Sequence, residues 1–252
     1  MRSVLALLLI PAAFAQQRNF VACPLVRDTK TVPCFLAEYE GETYFLGIQQ
    51  DITASFYPPQ LLHEVLVEGS IAPGPRVCGG IPLQPLKISV LPEINRACNT
   101  ILPAEPGIEA PPAKRPAGPS TRQAPVSTAP QPSARPTPPF GPRDFSILFD
   151  FDSDFLFARD TRMVEQAAEY ALAAHASRVE VTSYRAASLL SNGKALVERE
   201  SIAEERAKDV SGLLRGLGVQ ASTITIRAVS EPSVANGLDD PTHRLVLIRL
   251  VP

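Results

Sequence analysis

The sequence predicts an α+β chain of two folded parts. The first is a small β-rich domain held by disulfides, with an OB-like barrel as a fitting architecture. The second runs in the order β-α-β-α-β-β. Three observations predict this. All four cysteines, Cys23, Cys34, Cys78 and Cys98, lie in the N-terminal part. From Pro103 to Pro142 the chain carries 13 of its 26 prolines and almost no large apolar residue. Beyond that stretch, strand-like alternation and helical spacing take turns to the end of the chain.

Residues 1–15 read as an export signal. Arg2 gives the charged start, Val4 to Ile10 the apolar centre, and Ala13-Phe14-Ala15 a small-x-small cleavage site. An apolar run of about 12 residues is short for a bilayer span; an uncleaved anchor is the alternative. Phe20-Val21-Ala22-Cys23 faintly resembles a lipobox, but Gln16 to Asn19 separate it from the apolar centre. Lipidating Cys23 would also leave an odd number of cysteines. An even count in an exported chain points to two disulfides. Of the three pairings, the sequential one is expected: Cys23–Cys34 with Cys78–Cys98. No C-x-x-C or histidine pair suggests a metal.

Residues 16–102 form the β-rich domain. Phe35 to Tyr39 and Thr43 to Gly47 flank Glu40-Gly41-Glu42, a hairpin signal. Glu64 to Gly69 and Leu86 to Val90 are further strands. His63 stands alone and reads as structural. Residues 103–142 form a proline-rich linker, too poor in apolar residues to fold around a core. Residues 143–252 form the second domain. Its strands are Ser146 to Phe151, Arg178 to Tyr184, Thr223 to Val229 and Arg244 to Val251. Its helices are Asp160 to Ala176 and Ser201 to Leu217. Ser201 and Glu204 match a capping box, and Gly216 with Gly218 closes the second helix.

The net charge of −2 gives no electrostatic case for nucleic acid. The three histidines, His63, His175 and His243, are scattered. There is no G-x-S-x-G, H-E-x-x-H or phosphate loop. The expectation is a non-enzyme without a cofactor.

FDFDSDFL at 149–156, RVEVTSYRA at 178–186, IAEERAKDVSGLLRGLGV at 202–219 and THRLVLIRL at 242–250 together resemble the OmpA-like peptidoglycan-binding domain. The resemblance implies a non-catalytic protein of a Gram-negative envelope, periplasmic or outer-membrane-associated, with peptidoglycan as partner. Other envelope proteins are possible partners of the N-terminal domain. In the family, an acid after the second strand and an arginine in the second helix hold the ammonium and carboxylate of a diaminopimelate. An arginine fork suits the carboxylate because it makes paired, charge-assisted hydrogen bonds.

Arg206 matches the family arginine. The acid is missing: in Ser183-Tyr184-Arg185-Ala186, Ala186 stands where it is expected. The stretch from Ala186 to Arg206 is also longer than in the family, and its Glu198 and Glu200 are the first candidates to replace the acid. Arg185 could instead select another envelope anion. The ligand-binding candidates are thus Arg206, Tyr184, Arg185, Ala186 and Arg244, the last resembling a family arginine at the closing strand. The alternative is an interaction module with the wall site altered or lost. For Arg206 the ordinary alternative is a surface pair with Asp209. For Arg244 it is a pair with Asp239 or Asp240, which read as a turn. Asp150, Asp152 and Asp154 alternate, so they are expected on one face of a strand, with Phe149, Phe151 and Phe155 on the other.

Overall fold

A computed structural model describes residues 16–49, 61–112 and 136–252. The export signal expected at 1–15 and the middle of the expected linker lie outside the described residues.

The N-terminal part is all β: β1 (Gln17–Ala22), β2 (Pro24–Arg27), β3 (Cys34–Tyr39), β4 (Glu42–Ile48), β5 (His63–Ile71), β6 (Ile81–Ile94) and β7 (Thr100–Leu102). The sheet order is β1-β5-β6-β4-β3-β2-β7. Only Cys23 separates β1 from β2, so one bent strand bonds β5 with its first half and β3 with its second. That strand closes the sheet on itself. Strands β4 and β6 run parallel, while β1 with β5, β5 with β6, and β2 with β3 run antiparallel. Phe20, Tyr44, Leu46, Val65, Val67 and Ile88 fill the interior. The expected β3–β4 hairpin forms with Tyr39 opposite Glu42. Glu40 and Gly41 between them both have positive φ, 51° and 78°, as a tight type I′ turn requires.

The disulfides correct the expected pairing. They join Cys23 to Cys98 and Cys34 to Cys78. The cause is sheet neighbourhood rather than chain neighbourhood. Strand β7 lies parallel to β2, which brings Cys98 to Cys23, and Cys34 and Cys78 share one apolar cluster with Leu25, Leu36 and Ile48. The Cys23 sulfur is spent in this bond and cannot also carry a lipid. The loops closed span 75 and 44 residues, each worth about 4 kcal/mol on chain-entropy arithmetic, less than additively because one lies inside the other. Reduction is therefore expected to lower the urea midpoint of the barrel clearly. An unchanged midpoint would show that the bridges do not constrain the unfolded chain.

The first residues of the expected linker lie on the barrel. Ile108 and Ala110 pack against the Cys34 cluster, and Glu105 pairs with Arg27. At its other end Phe140 packs edge-on to Tyr170.

The C-terminal part comprises β8 (Arg143–Leu148), α1 (Ala158–Ala173), β9 (Arg178–Tyr184), β10 (Ala187–Leu189), β11 (Ala195–Val197), α2 (Ile202–Gly216), β12 (Ile224–Val229) and β13 (Leu245–Val251). Four strands form a sheet in the order β12-β9-β13-β8, so β12 and β13, consecutive in the chain, are kept apart by β9. Alternate residues Val179 and Val181 of β9 and Val246, Ile248 and Leu250 of β13 turn to one face. There they meet Val164, Ala167 and Ala171 of α1 and Ala207, Val210 and Leu214 of α2. Strands β10 and β11 form a separate hairpin inside the long β9–α2 connection. The capping box does not form: Ser201 makes no side-chain cap. Gly218, at φ +99°, follows the last helical turn as expected.

A polar interface joins the two parts. Asn19 donates its backbone N–H to the Ser191 hydroxyl at 2.9 Å and its side-chain amide to the carbonyls of Leu189 and Gly237 at 3.1 and 2.8 Å. Lys87 pairs with Asp150, and the Ser89 hydroxyl accepts the Phe151 N–H at 2.8 Å. At its centre Arg244, 0% exposed, pairs with Glu68, 3% exposed.

Candidate functional site

Arg206 sits in the first turns of α2, on the face that also buries Ile202, Ala203 and Ala207. A guanidinium carried there has no water to meet, so every N–H needs a protein acceptor. It finds them. Nε donates to Ser153 O at 2.8 Å. Nη1 donates to Glu198 Oε2 at 3.1 Å and, more weakly, to Tyr184 O at 3.4 Å. Nη2 donates to Glu198 Oε1 at 2.6 Å and to Asp150 O at 3.0 Å. The Phe149 ring lies beneath, 4.9 Å from the guanidinium carbon. All five donors of the fork are engaged, and both Arg206 and Glu198 are 0% exposed.

Glu198 is the acid that the long connection brings to Arg206; Glu200 is not. Its carboxylate also accepts the N–H of Asp152 at 2.9 Å and of Ala186 at 2.8 Å. The hairpin β10–β11 is what returns the chain to this point: Glu198 follows β11 directly and bonds back to Ala186 O at 3.1 Å. Ala186 thus serves through its backbone. Arg185 spans the same connection, donating to Glu198 O at 2.6 Å and Ser230 O at 3.2 Å. Tyr184 contributes its carbonyl. Arg244 is not part of this cluster.

The ordinary alternatives given for Arg206 and Arg244 do not form, and the expectation for the three aspartates is corrected. Arg206 does not form a surface pair with Asp209, because its helix position faces inward. Arg244 pairs with Glu68 and stacks on Phe151, 5.1 Å away, rather than with Asp239 or Asp240. Asp240 instead uses its carboxylate to hold the N–H groups of Leu189, Asn236 and Gly237 in a turn before β13, the place expected for it. Finally, the three alternating aspartates share no strand face. Strand β8 ends at Leu148, and Asp152 turns the backbone with φ +55°. Asp150 then faces Lys87, Asp152 caps Arg199 at 2.7 Å, and Asp154 borders a cleft. Phe149 and Phe151 are buried, but Phe155 is 57% exposed.

The cleft, of about 310 Å³, opens between β6 and this loop, with Asp152, Asp154, Phe155, Arg199 and Pro92 among its walls. Arg206 does not line it. Hydrogen bonds from Arg199 and then Ser201 hold the Glu205 carboxyl below its ordinary 4.5. Burial first, and then the charge of Asp154, raise Asp209. Because the folded pKa of Glu205 is depressed, its contribution is present above 4.5 and is lost as pH falls through the folded value. The Tm deficit of Glu205→Gln against the parent is expected at neutral pH and should vanish in acid. The pair is part-exposed, so the effect is small. A deficit that persists at low pH would remove the electrostatic explanation.

The described residues offer little to a metal. Cys23, Glu64 and Cys98 converge, but both sulfurs are in a disulfide; Asp239, Asp240 and His243 converge, but Asp240 is already filled by backbone donors. No helix among them is long and apolar enough to cross a membrane.

No protein-family model and no curated protein matches the chain. Solved structures do. The chain is similar to the OmpA-like domain of FopA1 from Francisella tularensis, at 17% identity over 43% of this chain and 71% of that one, with a TM-score of 0.36. It is similar to the periplasmic domain of Helicobacter pylori MotB at 15% identity, over 44% and 76%, with a TM-score of 0.34. It is also similar to the peptidoglycan-associated lipoprotein from Burkholderia pseudomallei at 18% identity, over 42% and 88%, with a TM-score of 0.32.

Proposed function

We propose that this chain is a non-catalytic cell-envelope protein, periplasmic or outer-membrane-associated, whose C-terminal part is an OmpA-like module for peptidoglycan. Its arginine site is held in a self-occupied form. The observation that carries this is the Glu198 carboxylate, seated in the Arg206 fork and on the N–H groups of Asp152 and Ala186. That is the arrangement a ligand carboxylate would need. A peptide-stem carboxylate must therefore displace Glu198 before Arg206 can hold it. The N-terminal part is read as an OB-like barrel, from its closing strand and the parallel β4–β6 pair, and as the face offered to other envelope proteins. Residues 1–15 are read as the export signal and the proline-rich stretch as a spacer.

Co-sedimentation of the full chain with purified peptidoglycan tests this. Weak pelleting is expected for the parent. Glu198→Ala, checked for retained helix content, is expected to pellet at least about tenfold better, the factor that 1.4 kcal/mol of removed competition gives. Adding Arg206→Ala should abolish the gain. If Glu198→Ala stays in the supernatant, the second reading holds: an interaction module that has given up the wall site. The missing acid at Ala186 favours that second reading.

A further inference from the structure

The loop from Phe149 to Ser153 is used on both sides. Toward α2 it supplies the carbonyls of Asp150 and Ser153 to Arg206 and the N–H of Asp152 to Glu198. Toward the barrel it supplies the Asp150 carboxylate to Lys87 and the Phe151 N–H to Ser89. The Phe151 ring lies under Arg244, which Glu68 of the barrel holds. Asp150 thus serves both sides, Phe151 the barrel, and Asp152 and Ser153 the helix, with a left-handed turn of the backbone at Asp152. A non-glycine residue is uncommon there, though aspartate adopts it more readily than most.

We propose that docking of the N-terminal barrel is an autoinhibitory contact, which keeps the 149–153 loop in the one shape that closes Arg206 onto Glu198. The inference rests on the reading of Glu198 as an occupant of the site. With Lys87, Ser89 and Glu68 withdrawn, the loop loses its outer anchors and Asp152 relaxes. The donors and acceptors that seat Glu198 and Arg206 then separate. The latch is made to be released: Glu68 Oε2 and Arg244 Nε are buried without a hydrogen-bond partner, so docking leaves polar groups that undocking would hydrate. The partner that opens the site is thus one that competes for the barrel face of β5 and β6.

Amide hydrogen exchange on the full chain tests the lock without any ligand, so its outcome is independent of whether Glu198→Ala binds peptidoglycan. In Lys87→Ala/Ser89→Ala, the Asp152 and Ala186 amides are expected to exchange at least about tenfold faster, while Val181 and Ile248 in the sheet keep their protection. Glu68→Lys, which sets a like charge against Arg244, should give the same pattern more strongly. If it unfolds the barrel, the milder variant decides. Two results overturn the proposal. One is Phe151 exchanging freely while Asp152 and Ala186 stay protected. The other is parental protection at all three, which would show that the barrel contacts do not hold the loop.

Discussion

Glu198→Ala is expected to lower the stability of the folded chain by about 3–5 kcal/mol, the usual result of leaving one partner of a buried ion pair uncompensated. Removing the carboxylate strands two Arg206 N–H bonds and the amides of Asp152 and Ala186 in a place with no solvent access. Each such orphan costs about 1–3 kcal/mol, not additively, since the loop can relax to hydrate some of them. The double variant Glu198→Leu/Arg206→Met removes both charges and is expected to recover much of the loss. Urea unfolding of the three proteins reads this. A single variant within about 1 kcal/mol of the parent would mean that the pair is open to water in solution, and the self-occupied site would fall with it.

The second large effect is expected at the interface. Glu68→Ala leaves the Arg244 guanidinium with the Ser188 and Ser89 hydroxyls, at 2.6 and 3.5 Å, and the face of Phe151. The expected loss is again about 3–5 kcal/mol, but its form differs. Arg244 and Glu68 are 176 residues apart in the chain, in parts with separate apolar cores. Weakening their contact should split one cooperative transition into two, the α/β part and the disulfide-held barrel melting apart. Calorimetry distinguishes this from a uniform loss. A single, evenly shifted peak would show that the two parts still unfold as a unit and that this pair does not couple them.

The sequence revealed elements whose signal is local. Strand β9 was legible from RVEVTSY, and α2 to within a residue, because alternation and helical spacing are properties of a short window. The β10–β11 hairpin was not, since ASL and ALV are too short to alternate. The split strand β1–β2 was missed because its pairing partners lie on opposite sides of a closed sheet. In the candidate site, the family resemblance singled out Arg206, and Glu198 was one of two acids named to replace the missing one for a ligand ammonium; that it closes on Arg206 itself was not readable. Nor was it readable that Arg206 would be fully enclosed: its acceptors at Asp150 and Ser153 lie 56 and 53 residues away in the chain, on a loop that no short window marks. The aspartate triplet misled for the opposite reason. Its perfect alternation suggested a strand, but the strand had already ended, and a left-handed residue gave each carboxylate a different neighbour.

Cys23 occupies the hinge of the strand that closes the barrel, and Cys98 is tied to it there. Closing this sheet brings the two thiols together, and oxidising them fixes the closure. Before oxidation, the bent strand has only its hydrogen bonds to keep both halves in register. Under reducing conditions the chain lacks that clasp and is easier to unthread. Under oxidising conditions the same residue that marks the bend seals it, and the redox state of the surroundings is written into the closure of the sheet.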